Sequence, residues 1–225
     1  MSTTTPATTR PFVIIAIDGG AATGKSTTSR GLSERFNLLH VDTGTFYRAI
    51  AAELLRRQLA PADTDAIRAA LPALSLGSQI NARSALMEIN GRPIDPVEIR
   101  SEPVNKNVAP FASIPEVRAL LLDYQRDFAR VAREHGFNGL VMDGRDIGSK
   151  IFPDADFRFI LEADIKAREQ RRLQEGQQDQ IARRDDIDLH RVRANEAGAM
   201  KIDTTFTPAD KVIAMISALV LEKLK

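Results

Sequence analysis

Residues 12–17 read F-V-I-I-A-I and lead, through Asp18, into G-G-A-A-T-G-K-S at Gly19 to Ser26. No other stretch restricts the fold as strongly. Six apolar residues without polar alternation fit a strand covered on both faces. The octapeptide satisfies G-x-x-x-x-G-K-[ST] in full. Gly19 and Gly24 allow torsions and close approaches that a side chain would block. Successive main-chain N–H groups can then turn inward on phosphate oxygens at the start of a helix, here expected over Lys25–Phe36. The expected ATP-binding segment is Gly19, Gly20, Ala21, Ala22, Thr23, Gly24, Lys25, Ser26 and Thr27. Lys25, read as a surface loop side chain, reaches the β- and γ-phosphates, and the Ser26 hydroxyl can bind Mg²⁺.

Further short β-rich runs alternate with helical patterns: Leu38–Asp42, Gly139–Asp143, Asp156–Leu161 and Met200–Asp203. Strands separated by helices predict a parallel sheet covered on both faces, an α/β fold. Ser113 and Glu116 have the spacing of a capping box ahead of a helix running from Pro115 to His135, which Gly136 can stop. Thr207, Pro208 and Asp210 open the last helix, whose Val212, Ile213, Ile216, Leu219 and Val220 form one core-facing stripe. Residues 61–112 hold one clear hairpin signal, Asn90-Gly91, and read as a small insert on the core. Residues 1–10 read as a disordered tail, leaving 11–225 as one domain.

Composition removes several function classes. With no cysteine, neither a disulfide nor a thiol nucleophile can form, which fits a reducing, cytoplasmic setting. Thirty-one basic and thirty acidic residues leave a net charge of +1, without the basic excess of a duplex-binding protein. The first apolar run is too short to span a membrane. His40, His135 and His190 lack metal-ligand spacing and read as surface or internally satisfied side chains.

A phosphate loop does not choose an acceptor, but three other segments bear on that choice. D-T-G-T-F-Y-R places Thr43 at a helix N-cap and Tyr47 and Arg48 one turn later, above the strand edge where α/β folds bind ligands. D-G-R-D ends the third apolar run; Asp143 can hold the Mg²⁺ shell, Arg145 clamp a phosphate and Asp146 accept from an exocyclic amine. Arg168, Arg171 and Arg172 share a helical face, as do Arg184, Asp188 and Arg191, so that 165–193 could form a lid. Each segment alone also fits a capped helix start or a solvated face. Phosphoryl transfer between two anions unites them, because it needs in-line positioning and charge neutralisation rather than a covalent intermediate. No N-K-x-D base-reading motif of a GTPase is present.

In order and spacing, I-D-G-G-A-A-T-G-K-S-T, D-T-G-T-F-Y-R, E-I-R at 98–100, P-E-V-R at 115–118, D-G-R-D-I-G and R-R-D-D-I-D-L-H-R at 183–191 resemble the bacterial cytidylate kinases. The resemblance runs from about Phe12 to the C-terminus. It implies a P-loop kinase three-layer fold with a five-stranded parallel sheet, a monophosphate-binding insert, a helical lid, a monomer, Mg²⁺-ATP as donor and CMP or dCMP as acceptor. It further implies that Tyr47, Arg48 and Arg145 hold the acceptor's sugar and phosphate side, with Thr43 beside them. Arg118 and Asp146 would read the cytosine, Arg184 and Asp188 meet the ribose, and Arg191 reach the transferring phosphate. Lys25, Arg145, Arg184 and Arg191 are thereby the catalytic candidates, and Ser26 and Asp143 the metal candidates. Two places depart from the family pattern. Ala109 stands where a base-contacting Ser is common, and after Arg191 the chain reads V-R-A-N-E-A-G-A-M instead of Pro-Leu followed by an acidic-Ala pair. Ala109 leaves UMP, AMP or a small metabolite open as acceptors; a nucleotide-sensing module without turnover is the reading from another class.

Overall fold

The computed structural model describes residues 11–174, 192 and 197–224. Five strands run parallel: β1 (Val13–Gly19), β2 (Leu38–Asp42), β6 (Gly139–Gly144), β7 (Phe157–Glu162) and β8 (Met200–Asp203). Their order is β2-β6-β1-β7-β8. Burial on both faces explains the unbroken apolar runs of β1 and β6. Val13, Ile15 and Ile17 of β1 join Leu32, Phe36, Val212, Ile216 and Val220 beneath helices α1 (Lys25–Phe36) and α7 (Ala209–Lys223). Ala16, on the other face, packs with Phe46 of α2 (Thr43–Arg56) and with Val117, Leu121 and Phe128 of α5 (Pro115–Glu134). A Cβ on Gly31 would come within 2.4 Å of Ile213 Cδ1, so α1 and α7 touch almost backbone to side chain there.

The sheet has more strands than the five expected, because residues within 61–112 extend it. This stretch holds α3 (Thr64–Ala70), β3 (Leu76–Asn81), β4 (Ser84–Ile89), β5 (Arg92–Pro93) and α4 (Glu102–Phe111). β4 joins β2 through a single parallel bridge, His40 to Ser84, and pairs antiparallel with β3 and β5. The turn between β4 and β5 is the expected one, with Asn90 at φ 54° and Gly91 at φ 73°, the left-handed pair of a tight hairpin. Leu71, Met87, Ile89, Ile99, Val104 and Phe111 are buried in the same apolar cluster as Leu39 and Val41 of β2.

Two expected helix starts are built differently. Ser113 Oγ donates to Ala109 O at 2.9 Å, closing the end of α4, while Glu116 pairs with Arg68 of α3. The N-cap of α5 is Ile114 with no side-chain cap, and Pro115 at the first position supplies the preset φ instead of a capping box. The N-cap of α2 is Asp42, whose Oδ1 accepts from the Gly44 N–H at 2.9 Å. That leaves Thr43, expected at the cap, free to turn its hydroxyl to the Asp143 carbonyl at 2.9 Å.

Beyond β6 the chain enters a π-helical turn, Ile147–Ile151, pinned by Asp18 at the end of β1. The two Asp18 oxygens accept from the N–H groups of Ile147 and Gly148 at 2.8 and 2.9 Å. Burial raises the Asp18 pKa to about 6, with these two bonds acting in the opposite direction. The raised value means the group's stabilising contribution is complete below its ordinary pKa of 3.8 and lost as pH rises through about 6. Asp18→Asn has no proton to lose. Urea unfolding across pH 4 to 7 should therefore show wild-type stability falling relative to the variant by up to about 3 kcal/mol; parallel pH profiles would exclude this role.

Phe46 is fully buried, stacked on Phe128 at 5.5 Å and edge-on to Tyr124 at 5.2 Å. Phe46→Ala should cost about 3–5 kcal/mol in urea unfolding. A loss under 1 kcal/mol would mean that α2 and α5 close over the cavity.

Candidate active site

The phosphate loop turns between β1 and α1. Gly19 lies against β7 so closely that a Cβ would fall 2.3 Å from Leu161 O, and Gly24 adopts φ 87° at the N-cap of α1. A side chain is thus excluded at the first position by space and disfavoured at the second by torsion. Ala22 also takes a positive φ, 57°. The loop's carbonyls are held by donors from within the loop and from outside it. Gly20 O accepts from Lys25 Nζ at 2.6 Å and Thr23 Oγ1 at 3.1 Å, Ala22 O from Arg171 Nη1 at 3.2 Å, and Thr23 O from Thr204 Oγ1 at 3.0 Å. Lys25 is only 7% exposed, so it is a buried residue of the loop and not the surface side chain expected.

A polar cavity of about 280 Å³ opens over this loop. Its wall includes Ala21 to Thr27, Asp42, Asp143, and five arginines: Arg30, Arg48, Arg100, Arg145 and Arg172. A second cavity, about 120 Å³, adjoins it and is lined by Thr43, Tyr47, Val108, Ala109, Ala112, Arg118 and Asp146. Gly44, Arg48, Gly144 and Arg145 belong to both walls. A third, about 340 Å³, lies behind the loop between Thr23, Arg171, Gln174, Thr207 and Pro208.

The expected site residues fall into this arrangement as follows. Ser26 Oγ donates to Asp143 Oδ1 at 2.9 Å, and Asp143 Oδ2 lies 2.8 Å from His40 Nε2. Burial pushes the Asp143 carboxyl upward, but the His40 bond, the Lys25 ammonium and the Ser26 hydroxyl together hold it below its ordinary value. Asp42, paired in register with Asp143, is raised by burial and by the neighbouring carboxylate. Arg48 Nη1 donates to Ile99 O at 3.0 Å and Asn105 Oδ1 at 2.6 Å, so the residues before and within α4 aim it. Arg118 forms an ion pair with Asp146, and its guanidinium lies 5.6 Å from the centre of the Tyr47 ring. Arg145 Nη1 donates to Gly144 O at 3.3 Å. Arg184, Asp188 and Arg191 lie outside the described residues, as does the tail 1–10.

The three arginines of α6 (Ile165–Gln174) do separate things. Arg168 is buried against Gly20, and its Nε donates to Ala163 O at 3.0 Å. Arg171 grips Thr204 O and Ala22 O, and only Arg172 reaches the first cavity. Arg30 and Arg100 escaped the sequence reading. Arg30 follows Ser26 by one helical turn and so shares its face, a signal that was available. Arg100 closes E-I-R, a motif that carried no role of its own.

Ser26 and Asp143 fit a hard divalent cation. Two oxygen donors in hydrogen-bond contact at the floor of a phosphate-sized cavity match the way Mg²⁺ is held, by one or two protein oxygens with phosphates and water supplying the rest. Among the described residues no cluster of three or more His, Cys, Asp or Glu side chains is suited to an all-protein cage. No described helix is long and apolar enough to cross a membrane.

The chain is 34% identical to a cytidylate kinase of Nocardia farcinica over 94% of its length and 95% of the relative's. A cytidylate kinase of Acidiphilium cryptum is 38% identical, over 92% of this chain and 85% of its own. Among solved structures, a shikimate kinase from Acinetobacter baumannii in complex with shikimate aligns with a TM-score of 0.47 at 13% identity, over 95% of this chain and 96% of its own. The family described as Cytidylate kinase matches residues 15–222. With the phosphate loop, the arginine-lined double cavity and this match over most of its length, the chain belongs to the cytidylate kinase family.

Proposed function

We propose that the protein transfers the γ-phosphoryl group of ATP to CMP or dCMP, giving ADP and CDP or dCDP. The observation that carries this reading is the wall common to the two cavities, formed by Gly44, Arg48, Gly144 and Arg145. Donor phosphates on the loop and an acceptor phosphate in the second cavity would meet across that wall, with both guanidiniums between them. Bringing the anions together in line and neutralising their charge is most of what this reaction requires.

In this reading the loop N–H groups and Lys25 hold the β- and γ-phosphates. Mg²⁺, held by Ser26 and by Asp143 through its shell, supplies positive charge to the transferring group. Arg145 bridges donor and acceptor, while Arg48 clamps the acceptor phosphate, its orientation set by Ile99 and Asn105. Thr43 and Tyr47 flank the sugar. Arg184, Asp188 and Arg191 are assigned, by family resemblance, to the ribose and the transferring phosphate. The lid is assigned to 165–193, a segment that beyond Gln174 lies almost wholly outside the described residues; of its arginines, Arg172 of α6 lines the first cavity. One chain lines both cavities, which suits a monomer, and the ATP-rich cytoplasm is the natural setting.

Base choice rests on Arg118 and Asp146. Cytosine offers an exocyclic amine, which donates, beside ring acceptors; uracil reverses the pattern with an oxygen in place of the amine. Asp146 accepts and Arg118 donates, so the pair complements cytosine. The facing wall from α4 and its C-cap is Val108, Ala109 and Ala112, which brings no side-chain donor to the base.

Diphosphate formation from Mg²⁺-ATP should be rapid with CMP and dCMP and slow with UMP, AMP and GMP. Turnover restricted to another acceptor would overturn the base assignment, and none with any of the five would overturn the function. Arg118→Ala should narrow the CMP-over-UMP ratio of kcat/KM by about 10- to 100-fold, the worth of one charged hydrogen bond; equal loss for both acceptors would place Arg118 elsewhere. Lys25→Met, which keeps the buried aliphatic stem, should lower kcat at least about 100-fold, and unchanged turnover would refute the loop's role.

A further inference from the structure

His40 stands in the middle of β2, 5% exposed, on the sheet face that α1 covers. Its strand neighbour in register is Val141, and Leu38, two residues earlier on the same face, belongs to the apolar cluster beneath α1. An imidazole there is explained by one contact, Nε2 to Asp143 Oδ2 at 2.8 Å. A carboxylate only accepts, so Nε2 carries the proton. The second oxygen of Asp143 accepts from Ser26 Oγ at 2.9 Å, and its main-chain oxygen from Thr43 Oγ1 at 2.9 Å. The residue is therefore fixed from β2, α1 and α2 at once.

We propose that His40 is a positioning residue for the donor site: by binding Asp143 Oδ2 it holds Oδ1 toward Ser26 and the phosphate cavity. The inference rests on the reading that Ser26 and Asp143 hold the Mg²⁺ shell. Asp42 sits beside Asp143 in the next strand, and its carboxylate repels that of Asp143. Without the His40 donor, Asp143 Oδ2 would be buried near a like charge, and rotation of the carboxylate would relieve it at the expense of the Ser26 contact. A hydrogen-bonded outer partner that orients a metal-binding carboxylate is commonly worth 10- to 100-fold in metal affinity.

The test compares nucleotide binding with and without Mg²⁺, using adenylyl imidodiphosphate and titration calorimetry on the full chain. In wild type the ratio of the two affinities reports the metal's contribution. His40→Phe fills a similar volume without a donor, and should reduce that ratio about 10- to 100-fold while metal-free affinity changes by less than about twofold. His40→Gln places an amide N–H at the reach of Nε2 and should retain most of the ratio. His40→Asn, too short to reach Asp143, should lose it as the Phe variant does, and carries the prediction if the Phe variant fails to fold. A lowered Tm with an unchanged Mg²⁺ ratio in the variants lacking the donor would make His40 a core residue only and overturn the proposal. Asp143→Asn separates the two levels. Loss of the Mg²⁺ contribution there but not in the His40 variants sinks only the His40 assignment. Retention in Asp143→Asn sinks the metal reading beneath it.

Discussion

A loop that aims its N–H groups at phosphate must leave its carbonyls pointing the other way, and buried carbonyls need donors. Much of this fold answers that demand. Lys25 and Thr23 bond Gly20 O, Arg171 bonds Ala22 O, and Thr204 bonds both Thr23 O and Glu162 O. The Thr204–Thr23 contact ties the loop to the connection after β8, so the segment following the C-terminal strand supports the phosphate loop although it lies far away in sequence. Ala22 at φ 57° can persist in such a setting because its surroundings over-determine it.

The acceptor side depends on the insert in a comparable way. Arg48 comes from α2, yet its guanidinium is aimed by Ile99 O just before α4 and by Asn105 within it. The insert's apolar residues join the core cluster of β2 and α2. Its position and that of Arg48 are consequently set together, and a shift of α4 moves an arginine that both cavities share.

The sequence disclosed what short-range rules govern. The phosphate loop, α1 and β2 were readable because glycine spacing and unbroken apolar runs are local signals. The Asn90-Gly91 turn was readable for the same reason. The β3–β4 hairpin was not: it turns at Ala82, φ 52°, and Arg83, neither a turn-forming residue by type, and is imposed by pairing. Ser113 and Glu116 had capping-box spacing, but Ser113 took a competing local bond, back to Ala109 O four residues earlier, and Glu116 was claimed by Arg68, 48 residues away, a partner no local pattern reveals. Arg171 read as one of a charged face, whereas its partners, Ala22 and Thr204, are brought to it by the sheet. His40 read as a surface or an internally satisfied side chain; the structure buries it, with a partner 103 residues away that only the β2–β6 register brings to it.

The wall shared by the two cavities carries a thermodynamic consequence. In the proposed arrangement Arg48 and Arg145, which line both cavities, would serve as counter-charge to an anion on either side. Occupancy of one side alters the potential felt on the other, and by linkage the influence is mutual and equal in both directions. Moving a phosphoryl group across the wall redistributes negative charge without changing its sum. In that arrangement the two arginines would face the same total charge before and after transfer, so that neither the substrate pair nor the product pair would be held preferentially by them.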